Sequence, residues 1–145
     1  MAGVFDVAAH ILRETGPITH MKLQKLVYYA QAWALVWDEE PLFDEPVEAW
    51  VNGPVVRKLY EQLRRVFKVS QEDLGSGSPD NLTNDQRETV DAILSLYGDK
   101  SSQWLSDLTH LEIPWQEARE GLAPGDRSCR EITYAAMADY YGGLQ

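Results

Sequence analysis

The chain has 145 residues, with 13 Lys+Arg against 23 Asp+Glu for a formal net charge of −10, and it contains five Trp, seven Tyr and one Cys. At this length a single domain spanning residues 1–145 is expected, with a core that buries about two thirds of the unfolded surface, and the aromatic content excludes a disordered chain. The acidic balance disfavours direct nucleic-acid binding, which draws affinity from Lys and Arg on phosphates, and the lone Cys129 builds neither an internal disulfide nor a cysteine metal cluster.

The opening, MAGVFDVAAH, lacks the basic start and apolar run of a signal peptide. No stretch approaches the roughly 20 apolar residues of a membrane span, so a cytoplasmic location without membrane contact is expected. Val4, Val7, Ala8, Ile11 and Leu12 share one helical face and predict a first helix over 4–14, ended by Gly16-Pro17. His10 falls on its solvent side. Thr19 is placed to cap a second helix over 20–37. That helix is apolar on more than one side, with Leu23, Leu26, Val27, Ala30, Ala34 and Trp37 in one stripe and the tyrosines 28 and 29 beside it. Such a helix belongs at the centre of its domain. Lys22 and Lys25 mark its expected solvated side, and His20 is free to face water.

Residues 41–51 read as a short hairpin or an extended arm, because Val47, Ala49 and Val51 alternate with Glu48 and Trp50. Asn52-Gly53 then turns the chain, and Pro54 fits the first position of a third helix over 54–67. One side of that helix is apolar. The other carries Arg57, Lys58, Arg64, Arg65 and Lys68, the one basic stripe of an acidic chain. Residues 70–82 form a polar Gly/Ser-rich loop, either a binding element or a tolerated insertion. Thr83-x-x-Gln86 is a capping box that opens a fourth helix ending at Gly98. Shorter helices follow over 102–109 and from Pro114. The last helix starts at either Ser128 or Thr133, since both fit a cap. The fold class is mainly α: a compact multi-helix domain around a central aromatic-rich helix, with a small β element near 41–51.

No phosphate-binding loop, nucleophile elbow or His-Glu-x-x-His sequence occurs. His10, His20 and His110 are far apart in the chain, so neither a metal site nor a cofactor is expected. The carboxylates Asp38, Glu39, Glu40, Asp44, Glu45 and Glu48 read as a solvated or partner-facing rim rather than a catalytic pair, which needs unlike environments. No enzymatic activity is expected. His110 precedes Pro114-Trp115, where an imidazole can pack on the indole and bond a backbone carbonyl. Trp50, Asn52, Gly53 and Pro54 have two compatible readings: a locked strand-to-helix turn, or a rigid turn that presents an aromatic anchor. Trp, Tyr and Arg dominate interface hot spots, which adds Arg57, Tyr60 and Trp115 to the candidate contact residues.

These residues carry a resemblance. The run Met21-Lys22-Leu23-Gln24-Lys25-Leu26-Val27-Tyr28-Tyr29-Ala30-Gln31-Ala32-Trp33 resembles the opening signature of the Panacea antitoxin domain, a family that includes SocA-type adaptors and phage-associated GepA-like proteins. Pro41-Leu42-Phe43, then Glu48-Ala49-Trp50 with Gly53-Pro54-Val55-Val56 and Tyr60, and then Leu105-x-x-Leu108-Thr109-His110 with Pro114-Trp115 and Ala118-Arg119, are similar to its later motifs. The match runs over about residues 5–141. The resemblance implies an antitoxin that neutralises a co-encoded toxin by direct binding; family toxins include small-alarmone and tRNA-modifying synthetases. SocA-type members imply an alternative, delivery of the toxin to a cytosolic ClpXP-type protease. Some members carry an added DNA-binding domain; here no separate DNA-binding domain and no direct operator binding are expected. Two departures, Asn52 where the family often has a large residue and the long 70–82 loop, point to tuning of toxin choice.

Overall fold

Residues 23–34 are buried without a break in α2 (His20–Trp37), so this helix has no solvent face along most of its length. The computed structural model, which describes residues 2–144, surrounds it with α1 (Val4–Thr15), α4 (Asn84–Tyr97), α5 (Ser102–His110) and α7 (Tyr134–Gly142). Thr19 caps α2 by accepting the Lys22 N–H at 3.2 Å. The expected capping box also forms, with Gln86 N–H on Thr83 Oγ1 and Thr83 N–H on Gln86 Oε1. Of the two possible starts for the last helix, Thr133 is the cap. No helix among the described residues is long and apolar enough to cross a membrane.

The central helix also holds polar side chains, and each has a structural reason. Gln24 and Gln31 lie seven residues apart and therefore on one face. The Gln31 amide spans the connector, accepting Leu42 N–H at 2.7 Å and donating to Phe43 O at 2.8 Å. The Gln24 amide does the same at Val56, at 3.0 and 3.4 Å. Tyr29 and Tyr141 both donate to Glu112 Oε1, at 2.6 and 2.9 Å, and so satisfy a buried carboxyl at the start of α6 (Ile113–Ala118). Burial pushes the Glu112 pKa up, against the pull of those two hydroxyls.

Strands β2 (Val47–Trp50) and β3 (Gly53–Val56) form a hairpin in register Val47↔Val56 to Trp50↔Gly53, and β5 (Glu131–Ile132) pairs on the other side of β2. A second, two-residue ladder joins β1 (Ile18–Thr19) to β4 (Lys68–Val69). The small β element is therefore a hairpin, but its second strand occupies residues expected to be helical. Pro54 pairs with Ala49 inside β3, and α3 runs only from Arg57 to Leu63. A proline is tolerated in a strand where no N–H is required, and here the Ala49 N–H is taken by Arg130 O at 2.8 Å. The Gln24 amide then binds the free edge of β3 at Val56 and holds it extended.

Two other expectations are corrected, and the 70–82 loop packs on the first helix. His10 is buried rather than solvated: it donates to Asp91 Oδ1 at 2.8 Å and accepts from Arg13 Nη2 at 3.0 Å, which ties α1 to α4. Lys25 is 1% exposed, and the Lys22 ammonium reaches Gly98 O at 2.7 Å, so neither marks a solvated face. The 70–82 segment is folded onto α1 through two 3-10 turns, Gln71–Leu74 and Pro79–Asn81. Asp6 accepts Gly3 N–H, Ser78 N–H and Asn81 Nδ2, each at 2.9 Å. Burial would raise the Asp6 pKa, but these hydrogen bonds outweigh it and hold the carboxylate low.

Candidate interaction groove

The hairpin turn is held from beneath by five side chains, each donating to one main-chain carbonyl. Arg119 Nη1 reaches Ala49 O at 3.0 Å, and Trp115 Nε1 reaches Trp50 O at 2.8 Å. His110 Nε2 reaches Val51 O at 3.1 Å, and Ser106 Oγ reaches Asn52 O at 2.7 Å. The Lys25 ammonium, from the central helix, lies 3.4 Å from Pro54 O. Backbone carbonyls at a loop tip normally bond water. Fixing all five gives this turn a single shape.

His110 and Trp115 pack as the sequence suggests, with ring centroids 4.3 Å apart and the imidazole on a main-chain carbonyl. Burial lowers the His110 pKa despite the Val51 hydrogen bond, which leaves a neutral ring that donates from Nε2. Arg119 Cζ sits 5.3 Å from the Trp115 ring and completes the support.

Above the turn lies an open groove of about 1090 Å³. Trp50 meets Tyr60 edge-on at 4.8 Å, and Tyr60 stacks on His20 at 5.5 Å. Arg57 covers Trp50 at 5.5 Å, and Arg64 lies 6.0 Å from the Tyr60 ring. Glu48 orders this wall, accepting from Trp50 Nε1 at 2.8 Å and from both Arg57 Nε and Nη2. Burial and the Lys25 charge hold His20 at a pKa of about 4, so it is neutral at pH 7. Lys25 itself lies at the groove floor, and burial lowers its pKa to about 8.

The structure thus divides the candidate contact residues into two groups. Trp50, Asn52, Arg57 and Tyr60 line the groove. Gly53 and Pro54 are buried in β3, while His110 and Trp115 act on the turn from below. The basic stripe also divides. Arg57, Arg64 and Arg65 line the groove, whereas Lys58 turns away, toward Glu45 at 3.8 Å and the Phe5 ring at 5.9 Å. In the acidic rim, Glu48 and Glu45 hold local structure and Asp38 accepts the Thr89 hydroxyl at 2.6 Å, while Glu39, Glu40 and Asp44 are exposed. Sequence reasoning missed Lys25, Arg119 and Arg127 as parts of this region. The available signal was a Lys one turn before Tyr28 and Tyr29 on a helix that is apolar on more than one side.

The mainly α domain therefore presents a rigid turn beside a groove of aromatic and basic side chains. The profile described as "Antitoxin SocA-like, Panacea domain" matches residues 23–116, and the chain belongs to this family. Comparisons with curated proteins and with solved structures give no significant match.

Proposed function

We propose that this protein is an antitoxin that neutralises a co-encoded toxin by direct protein–protein binding, without catalysis of its own. Membership of an antitoxin-like family supports the antitoxin role and, with it, a toxin partner. The observation that carries direct binding is the clamped turn beside the groove. Five carbonyls fixed from below remove the ordering cost that a free loop would pay on association. Trp50, Arg57 and Tyr60, held at its edge, are residue types that dominate interface energetics.

The test is co-expression with the neighbouring gene product, scored by growth and by co-purification. Growth rescue with a stable complex is the expected result, and rescue should persist in cells lacking a ClpXP-type protease. Rescue that vanishes without the protease would replace sequestration by proteolytic delivery. A neighbouring product that is neither toxic nor bound would remove the proposal.

A further inference from the structure

Charge on this molecule is distributed unevenly. Lys25, Arg57, Arg64, Arg65 and Arg127 all line the one groove, against a single acidic lining residue, Glu61. The whole chain has 13 Lys+Arg and 23 Asp+Glu, so more than a third of its cations sit where almost none of its acids do. Arg57 is neutralised by Glu48 at 2.9 Å. Among the described residues, Arg64, Arg65 and Arg127 have no carboxylate within salt-bridge reach.

The groove floor adds a second observation. Lys25 is 1% exposed, and its three ammonium donors meet one carbonyl at a long 3.4 Å. A buried, under-bonded ammonium is costly to the fold. It projects positive potential into the groove, which is why it helps depress His20. A third observation lies at one end, where Phe67 is 81% exposed and Met21 40% exposed. Both line the groove where His20, the neighbour of Met21, donates its N–H to Phe67 O at 3.0 Å. A small anion makes no use of an exposed Phe and Met beside a cationic trough. A polypeptide carrying both acidic and apolar side chains does.

We infer that this groove receives an acidic segment of the toxin, with carboxylates over Arg64, Arg65 and Arg127 above Lys25 and an apolar side chain against Phe67 and Met21. The inference rests on the antitoxin reading and adds the chemistry of the partner's contact. Its sign runs against the net charge: an acidic antitoxin selects an acidic patch on its partner through a local field that the rest of its surface opposes. Complementary potentials of this kind set association rate and partner choice.

The experiment compares wild type with an Arg64→Glu/Arg65→Glu variant for binding to the purified co-encoded toxin across a salt series, with Lys100→Glu, outside the groove, as control. Arg64 and Arg65 are exposed, so the variant should fold, which circular dichroism checks. At low salt the expected result is at least a tenfold weaker Kd for the groove variant and less than a twofold change for the control. Salt should weaken the wild-type complex more than the variant one. Crosslinking should place an Asp- or Glu-containing toxin segment at Arg64, Arg65 or Arg127, and reversing those acids to Lys should restore binding to the variant. Equal binding by wild type and variant would overturn the inference and leave the antitoxin reading intact. No complex with wild type would overturn both. If ATP or pyrophosphate raises the wild-type melting temperature but not the variant's, and toxin binding is unaffected, the groove is a phosphate site and the inference fails.

Discussion

Gly53 lies where the Lys25 side chain crosses the hairpin. A Cβ built on Gly53 would stand 2.6 Å from Lys25 Cε and 3.0 Å from Thr109 Oγ1, and the residue has φ 121°. The Gly-Pro step of the turn therefore serves the central helix as much as the turn: it opens a path for a long cationic side chain to reach Pro54 O and the groove floor. Gly53→Ala should lose stability twice over, by ~1–2 kcal/mol for the positive φ and by ~1–3 kcal/mol for overpacking. Urea unfolding measures this directly. A midpoint shift worth under about 1 kcal/mol would mean that Lys25 has another path.

Lys25→Met should make the protein more stable and a weaker binder. Burial lowers the Lys25 pKa from 10.5 to about 8, so near pH 7 the folded state carries a disfavoured charge. At about 1.4 kcal/mol per pKa unit this strain is about 3 kcal/mol, and Met keeps most of the stem's volume without it. The lost bond to Pro54 O offsets part of the gain, so a net rise of about 1–2 kcal/mol is expected. The pH dependence gives an independent check. Between pH 8 and 10.5 the unfolded chain binds the Lys25 proton and the folded chain does not, so wild-type stability should rise relative to the variant through this window. Below pH 8 the gap should be constant. A variant that is less stable than wild type at pH 7 and shows no narrowing by pH 9.5 would show that the ammonium is a net stabiliser.

Local signals in the sequence suffice where chain neighbours decide the structure. The bounds of α2, the Thr19 cap and the Thr83/Gln86 capping box match the structure. So does the packing of His110 on Trp115, because only four residues, the last of them a proline, separate the two rings. The start of α3 was not legible. Proline is equally suited to a helix's first position and to a strand position that requires no N–H, and the choice is made by Gln24, thirty residues away. A lysine on a helix is usually solvated, and only the hairpin packed over Lys25 reverses that. The groove had no local signature, since its lining comes from residues 19–25, 50–67 and 127–129. Arg127 in particular lies in a segment whose sequence bears only on where a helix begins.

Arg119 holds that segment in place. Besides Ala49 O, its guanidinium donates to Ala123 O, Pro124 O and Asp126 O, the last at 2.7 Å, and the side chain is buried. Arg119→Met should cost about 2–3 kcal/mol, because one buried carbonyl and three partly buried ones lose a charged donor at once. Arg119→Lys should recover little, since one ammonium cannot reproduce a planar fork that serves two strands of chain. Limited proteolysis should then cut near residues 123–130 well before the rest of the protein unfolds. Wild-type protease resistance in both variants would show that other contacts hold this segment.

Trp50 and Tyr60 separate a contact role from a scaffold role. Both are partly exposed, they meet edge-to-face at 4.8 Å, and no donor of the turn clamp comes from either side chain. Trp50→Ala and Tyr60→Ala should therefore leave the turn clamped and cost only modest stability, about 1 kcal/mol each. If the groove edge anchors the toxin, each should still weaken binding by about 2 kcal/mol or more, roughly thirtyfold, and impair growth rescue. Tyr60→Phe keeps the ring stack on His20 and Trp50 and should bind within a fewfold of wild type. Calorimetric titration of the folded variants against the toxin decides the point. Full neutralisation by soluble Trp50→Ala and Tyr60→Ala proteins would remove both residues from the interface and leave them as packing between α3 and the hairpin.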